Sequence, residues 1–495
     1  MKIVFICGTD INIGYLGVEY ISSVLKNHGH QVELLIDPIH SSNNNVTPVE
    51  RENARQIKEL KPDLIGFSMV TSQYQWALKT AGVIKKETHT PIIFGGTHPT
   101  ADPNGVIKNS AVDMVCVGEG EEAMLELVKS LEMNDKRTDI SNIWFKNGED
   151  IIRNGVRPLM HELDKLPFPD KDLFVQKLGT ACVSRYMIIA TRGCAFTCTY
   201  CFNNSNRELY RNKGKYVRKR SVDNVINELI QAKERYPIKR VTFADDHLTD
   251  NFQWLEEFAE KYKKRIDIPF VACSHVRFID ERRAKLLKKA GCWLLLLGLQ
   301  TGSEYLRNTI LKRNESNERV RDVARACHQV GLKFSIDLIF NLPHEKEEHL
   351  FETVNFMNEL RPNIINTYSL FYLPGTEIIQ QAKETGMIDE EIIEKINQGT
   401  YGNSINPPPA KRSYRKFYMI LTLMPILPQR VVCRLINSKR CLAFLEMIPI
   451  SIQRLLKMIV HIKAGSFYMI KEAIMASLQL SLKKIKMGLV RNYAK

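Results

Sequence analysis

Apolar positions in the first 135 residues fall into short unbroken runs separated by stretches with helical spacing. Residues 2–7, 31–36, 64–68, 91–94 and 114–117 read as strands, because Val, Ile, Leu and Phe cluster there without the strict alternation of a half-exposed sheet. Between them, residues 15–27, 73–86 and 120–131 carry the spacing of amphipathic helices. A polar Ser/Asn stretch at 41–45 reads as a loop. Apolar strands alternating with helices predict an α/β fold, a doubly wound parallel sheet covered on both faces. Ligands of such sheets bind at the carboxyl ends of the strands.

A second alternation begins at residue 186. Strands are expected at 186–191, 239–244, 269–273, 293–298, 333–339 and 366–371, with helices at 222–236, 252–264, 280–290, 317–330 and 346–360. Ser221 is suited to cap the first of these helices, since its hydroxyl can accept from an open amide of the first turn. Six strand–helix units predict a partial (β/α)6 barrel of parallel strands. Residues 136–185, with Leu166-Pro167-Phe168-Pro169-Asp170, read as a linker, and 377–409 as a connector ending in Pro407-Pro408-Pro409. The expected order is therefore a sheet domain at 1–135, the linker, a barrel at 186–376, the connector and a tail at 410–495.

Composition is that of an ordinary globular protein, with 495 residues, 44% hydrophobic and 25% charged. This excludes a disordered chain, a fibrous repeat and a small disulfide scaffold. The net charge of +15 matters through its location. Residues 410–495 hold 17 of the 70 basic side chains and only two of the 55 acids, Glu446 and Glu472, so the tail carries the whole excess. Nucleic-acid binders usually spread basic stripes over the folded body, and here the body is neutral. The apolar run after Met1 is too short for a secretory signal. The longest uncharged run in the tail, 417–429, is 13 residues, against about 20 for a spanning helix. Neither signal peptide nor spanning helix is expected, and the location inferred is cytoplasmic. Three of the eleven cysteines lie within eight positions, which without export reads as metal ligation.

Those three are Cys194, Cys198 and Cys201, directly after the first barrel strand, with C-x3-C-x2-C spacing. Three thiolates on one loop can ligate three irons of a cubane and leave the fourth open. Zinc would want a fourth Cys or His, and the flanks offer none. Gly193 lets the loop turn tightly. The spacing, with Tyr200 before the third cysteine, resembles the radical S-adenosylmethionine (SAM) enzymes over residues 186–376. That resemblance implies a [4Fe-4S] cluster on Cys194, Cys198 and Cys201, SAM on the open iron, and its cleavage to a 5′-deoxyadenosyl radical. It also implies cofactor contacts at the strand ends: Phe202 beside the third cysteine, Asp245 and Asp246 for the SAM amine, Ser274 and Arg277 for ribose or carboxylate, and Gln300. Asn341 belongs to Asp337-Leu338-Ile339-Phe340-Asn341-Leu342-Pro343, which is similar to a G-x-I-x-G-L-P element with Asp337 and Asn341 in place of its glycines. Pro374-Gly375-Thr376 matches a turn common in the subgroup with a leading cobalamin domain.

Residues 1–135 resemble that cobalamin-binding domain in Ile65-Gly66-Phe67-Ser68, in Thr71 with Tyr74, in Gly95-Gly96-Thr97-His98-Pro99-Thr100 and in Val117-Gly118-Glu119-Gly120-Glu121. The resemblance implies cobalamin contacts at Ser68, Thr71, Gly95, Gly96, Thr97, Gly118, Glu119 and Gly120. Small hydroxyls can bond the nucleotide tail, and glycines let backbone approach it. Asn12 stands where D-x-H-x-x-G domains carry a cobalt-ligating His, so no ligation from that loop is expected. His98 is expected to brace its loop. No G-x-G-x-x-G follows the first strand, which argues against a Rossmann nucleotide site.

Together these resemblances imply a cobalamin-dependent radical SAM enzyme. It would methylate an unactivated carbon of a lipophilic or other small molecule through methylcobalamin, with an electron donor of the flavodoxin or ferredoxin type. The alternatives are a non-methylating oxidation or cyclisation, as in the anaerobic magnesium-protoporphyrin ester cyclase, and a non-catalytic corrinoid-binding protein. In the tail, apolar side chains interleave with the cations, as in helices lying on an anionic membrane. A peripheral position on the inner face of the membrane is expected there. A helical domain packed on the barrel is the competing reading. RNA contact would show more interleaved aromatics.

Overall fold

The computed structural model describes residues 1–8, 15–37, 48–135, 137–402 and 414–463. The first sheet contains the five expected strands, β1 (Lys2–Gly8), β2 (Gln31–Asp37), β3 (Leu64–Ser68), β4 (Ile92–Gly95) and β5 (Met114–Cys116). They are parallel, in the order β2-β1-β3-β4-β5. Val4, Ile6, Phe67 and Phe94 pack into one apolar cluster. Ile3, Phe5, Leu34 and Ile93 pack into another. Neighbours along a strand thus serve opposite faces, and both are covered, as the unbroken apolar runs require.

Two further strands, β6 (Ile143–Asn147) and β7 (Asp150–Ile152), form an antiparallel hairpin that extends this sheet beyond β5. They lie in the stretch expected to be linker. Ile143 and Phe145 point inward and Trp144 and Lys146 are partly covered, an alternation confined to five residues.

The second sheet has six parallel strands: β8 (Arg185–Ile188), β11 (Arg240–Phe243), β12 (Phe270–Ser274), β13 (Cys292–Gln300), β14 (Phe334–Phe340) and β15 (Ile364–Ser369). The short pair β9 (Thr191–Arg192) and β10 (Arg218–Lys219) lies between the first two. No pairing joins β15 to β8 among the described residues, so the barrel is partial. Val241, Phe243, Leu295, Leu297, Ile336 and Leu338 belong to the main core against the helices. The alternate side faces the lumen. There Val271, Leu294 and Ile364 form a small apolar floor. Two residues further along β12 and β15 come Cys273 and Asn366, beside Asp337 on β14, whose carboxylate accepts from Asn366 Nδ2 at 2.8 Å. Ser221 caps the helix Val222–Arg235, its Oγ accepting from Asn224 N at 3.1 Å.

The tail folds as helices Arg415–Leu423, Gln429–Asn437, Lys439–Met447 and Ile450–Lys463. Phe417, Ile420, Leu421, Val432, Ile436, Leu442 and Leu445 are buried in the main barrel core. One side of the tail thus belongs to the barrel, as the competing reading of a packed helical domain requires. Pro407 to Pro409, Asn12 and the 41–45 loop lie outside the described residues.

Candidate active site

The three cysteines sit between β9 and the helix Phe202–Leu209, and Cys201 caps that helix. Gly193 has φ +85°, and a Cβ on it would strike the Tyr216 carbonyl, so the turn into the loop requires glycine. All three thiols are free of disulfides. Arg313 Nη1 lies 3.8 Å from Cys198 Sγ and also donates to Tyr200 Oη at 2.9 Å. Arg207 donates to the Cys194 carbonyl. Burial pushes the Cys194 thiol up to about 12 and Cys201 up to about 11. Metal ligation reverses that direction by deprotonating the thiols. Among the described residues no three Cys, His, Asp or Glu side chains converge on one shared ion. A cubane gives each thiolate its own iron, and three free thiols on one loop beside two guanidinium groups are a donor set that fits it.

Asp245 and Asp246 are adjacent but differ in role. Asp245 is 2% exposed and both its oxygens accept from Ala190 N, at 3.2 and 3.1 Å. Burial raises it to about 6 against the hydrogen bonds from Ala190 and Thr191. It ties the end of β11 to the end of β8. Asp246 is exposed, accepts from Asn203 Nδ2 at 3.0 Å, and acts electrostatically on Cys194 and Cys201. Of the pair, it is the acid on the cluster side.

At the end of β12, Ser274 Oγ is 2.5 Å from Thr249 Oγ1 and buried. Arg277 is exposed, with its guanidinium 6.0 Å from the Phe196 ring. His275 Nδ1 accepts from Arg277 N at 3.2 Å, which puts the ring proton on Nε2, 2.6 Å from Glu315 Oε1. His275 also stacks on Phe196 at 3.6 Å. His247 Nε2 accepts from Ala195 N at 3.3 Å inside the cysteine loop. Both histidines brace the loop. Gln300 has φ +73° and folds its amide back over Gly298. Asn341 has φ +61°, so it keeps the left-handed backbone of the glycine it replaces. Its side chain donates to Ser369 Oγ at 2.6 Å. Phe202 opens the helix after the third cysteine and is half-buried.

The stretches resembling a cobalamin site meet at the carboxyl edge of β3, β4 and β5. Ser68 is half-buried and Thr97 exposed there. Gly95 O accepts from Met69 N at 3.0 Å. Gly96 has φ +103°, and a Cβ would lie 2.5 Å from Met69 O. Thr71 Oγ1 is 3.3 Å from His98 Nδ1. His98 is fully buried, its ring tilted against that of Tyr74 with centroids 4.1 Å apart, and burial pushes it down to about 4. Gly120 packs on Ile21 and Cys116.

Gly118 and Glu119 are used differently from the expectation. A Cβ on Gly118 would strike the Tyr210 hydroxyl, and that hydroxyl accepts from Glu119 N at 2.7 Å. The Glu119 carboxylate accepts from Arg218 Nη1 at 3.0 Å and Nη2 at 2.5 Å, and lies 3.5 Å from Arg192 Nη1. Arg192 also bonds Glu121 at 2.5 Å, two residues before Cys194. These contacts weld the first sheet to the cysteine loop. The helix Thr97–Ala101 likewise packs on Phe202–Leu209. Sequence reasoning missed Arg192, Arg218 and Arg313. Arg218 and Arg313 lie far along the chain from Glu119 and Cys198, and Arg192, though it stands two residues before Cys194, pairs with acids more than 70 positions away.

Comparison with known proteins agrees with this geometry. Residues 188–357 match the Radical SAM superfamily and residues 12–128 the B12 binding domain. An uncharacterised methyltransferase of Pyrococcus horikoshii is 27% identical over 371 residues, covering 74% of this chain and 78% of the relative. The anaerobic magnesium-protoporphyrin IX monomethyl ester cyclase of Cereibacter sphaeroides is 23% identical, over 81% of this chain and 66% of that protein. Among solved structures, the radical SAM methyltransferase TsrM of Kitasatospora setae, with cobalamin and a [4Fe-4S] cluster bound, superposes with a TM-score of 0.63 at 16% identity, covering 77% of this chain and 75% of its own. A cluster-bearing barrel behind a corrinoid-type sheet defines a radical SAM enzyme with a B12-binding domain. This chain carries a Radical SAM superfamily domain and a B12 binding domain, and the cofactors these two domains imply are a [4Fe-4S] cluster, SAM and cobalamin.

Proposed function

We propose that this enzyme methylates an unactivated carbon of a small lipophilic molecule, in the cytoplasm at a membrane surface, using an electron from a flavodoxin- or ferredoxin-type donor. The observation that carries this reading is the direct packing of the two loop edges, Thr97–Ala101 against Phe202–Leu209, with Arg192 and Arg218 bonded to Glu119. When bound, the cluster and SAM supply a hydrogen-abstracting radical and cobalamin carries the methyl group.

The chain supplies positioning. Cys194, Cys198 and Cys201 hold the cluster, and Arg313 sets a cation beside one thiolate. Asp246 takes the SAM amine and Arg277 its carboxylate. Asn341 offers backbone in the left-handed conformation. Ser68, Thr71, Gly95, Gly96 and Thr97 hold the corrinoid, with Gly118, Glu119 and Gly120 supporting them from the domain contact. Asp337 and Asn366 above the floor of Val271, Leu294 and Ile364 suit a substrate with a polar end and a hydrocarbon body.

The test is a turnover of the reconstituted enzyme with reductant, trideuteromethyl-SAM and a cell lipid extract, read by mass spectrometry. A product carrying the labelled methyl supports the proposal. A product oxidised or cyclised without it favours the second reading, non-methylating chemistry, which the likeness to the anaerobic cyclase supports. Absence of any SAM cleavage would leave only corrinoid binding.

A further inference from the structure

The last two tail helices, Lys439–Met447 and Ile450–Lys463, are apolar on two sides. Their inner side, with Leu442 and Leu445, is buried in the barrel core. Their outer side exposes Phe444, Met447, Ile452, Leu455, Ile459 and Ile462, each 45 to 71% accessible. On Ile450–Lys463 the exposed positions recur at steps of three and four, one continuous stripe, while Val460 faces inward. Contiguous exposed apolar surface of this kind marks an interaction site. Arg430 and Arg434 on the helix Gln429–Asn437, and Lys439 and Arg440 at the start of the next, are exposed and without an ion pair among the described residues. Glu446 is the one acid between residues 414 and 463.

We propose that this outer face is a docking surface for an anionic lipid bilayer. Charge decides the occupant. A second copy would bring two cationic tails face to face across a symmetric contact, which repels. An anionic bilayer meets the cations with opposite charge and buries the apolar stripe to the depth of its headgroups. No described helix is long and apolar enough to cross a membrane, so the helices lie on the surface. The helix Ile450–Lys463 packs on Arg415–Leu423, which packs on β15, so docking sets the bilayer beside the wall of the barrel. The proposal deepens the function above and rests on it for one point, that the substrate is carried in the bilayer.

The experiment is flotation of the full chain with vesicles of phosphatidylcholine alone or mixed with phosphatidylglycerol. The expected result is binding to the anionic vesicles, weakened at least tenfold by high salt and by the double substitution Phe444→Asp/Met447→Asp. Leu455→Asp/Ile459→Asp is the independent second variant. SAM cleavage in detergent-free solution stays at the parent rate in both, which separates failure of docking from failure of the catalytic reading. Unchanged flotation of both variants, no flotation of the parent, or a parent dimer in light scattering that both variants abolish would each overturn the proposal.

Discussion

Asp245 and Asp246 are chemically identical neighbours, and their surroundings divide the work. Asp246→Asn removes the exposed carboxylate on the cluster side. SAM affinity should fall roughly tenfold, the worth of one charge-assisted hydrogen bond, with the melting temperature unchanged; calorimetric titration and thermal melts measure the two. Asp245 acts on stability. Its folded value is raised to about 6, above its unfolded value. Between about pH 4 and pH 6 the unfolded chain loses this proton while the folded chain keeps it, so the group costs stability as pH rises through that window. Asp245→Asn should gain on the parent across the same window in urea midpoints. The cysteines were legible in the sequence because their ligand set is local, three residues on one loop. The acid pair was legible as a pair only. Which member turns toward the loop is fixed by Ala190, 55 positions away. Arg313, 115 positions from Cys198, was beyond any local pattern.

The strands of both parallel sheets followed from their apolar runs, but the helix Pro48–Leu60 was not expected. The β6–β7 hairpin was not read from the sequence either, although Asn147-Gly148 between two short apolar runs is a hairpin signal. Nor was the use of the β5 loop. Its glycines and acid look like ligand contacts, yet Gly118 receives Tyr210 and Glu119 receives Arg218. Arg218→Ala leaves a half-buried carboxylate with only Arg192 beside it. The cost should be about 2 kcal/mol in urea unfolding, together with weaker cobalamin binding, because the loop that follows β5 loses its anchor. Gly118→Ala adds a Cβ at φ +83° against the Tyr210 hydroxyl. It should cost on the order of 2 kcal/mol and release the Tyr210 fluorescence from its buried setting. A variant as stable as the parent would remove the domain contact from the account.

Over the whole molecule, the charge excess lies outside a neutral catalytic body, and the structure divides the tail that bears it. Phe417, Ile420 and Leu421 are covered by the barrel, so removing residues 414–495 should strip the core and abolish soluble folded protein. Circular dichroism of this truncation checks it. The charge count set the tail apart from the body; which of its apolar residues face the core was hidden, because buried and exposed apolar residues look alike in sequence. The central claim is that one chain joins a three-cysteine cluster to a separate corrinoid site. Elemental analysis of anaerobically reconstituted protein tests it most directly. The parent should hold about four irons and one cobalt per chain, and Cys198→Ala should lose the iron while keeping the cobalt. A parent without cobalt, or a Cys198→Ala variant that retains full iron, would contradict the account.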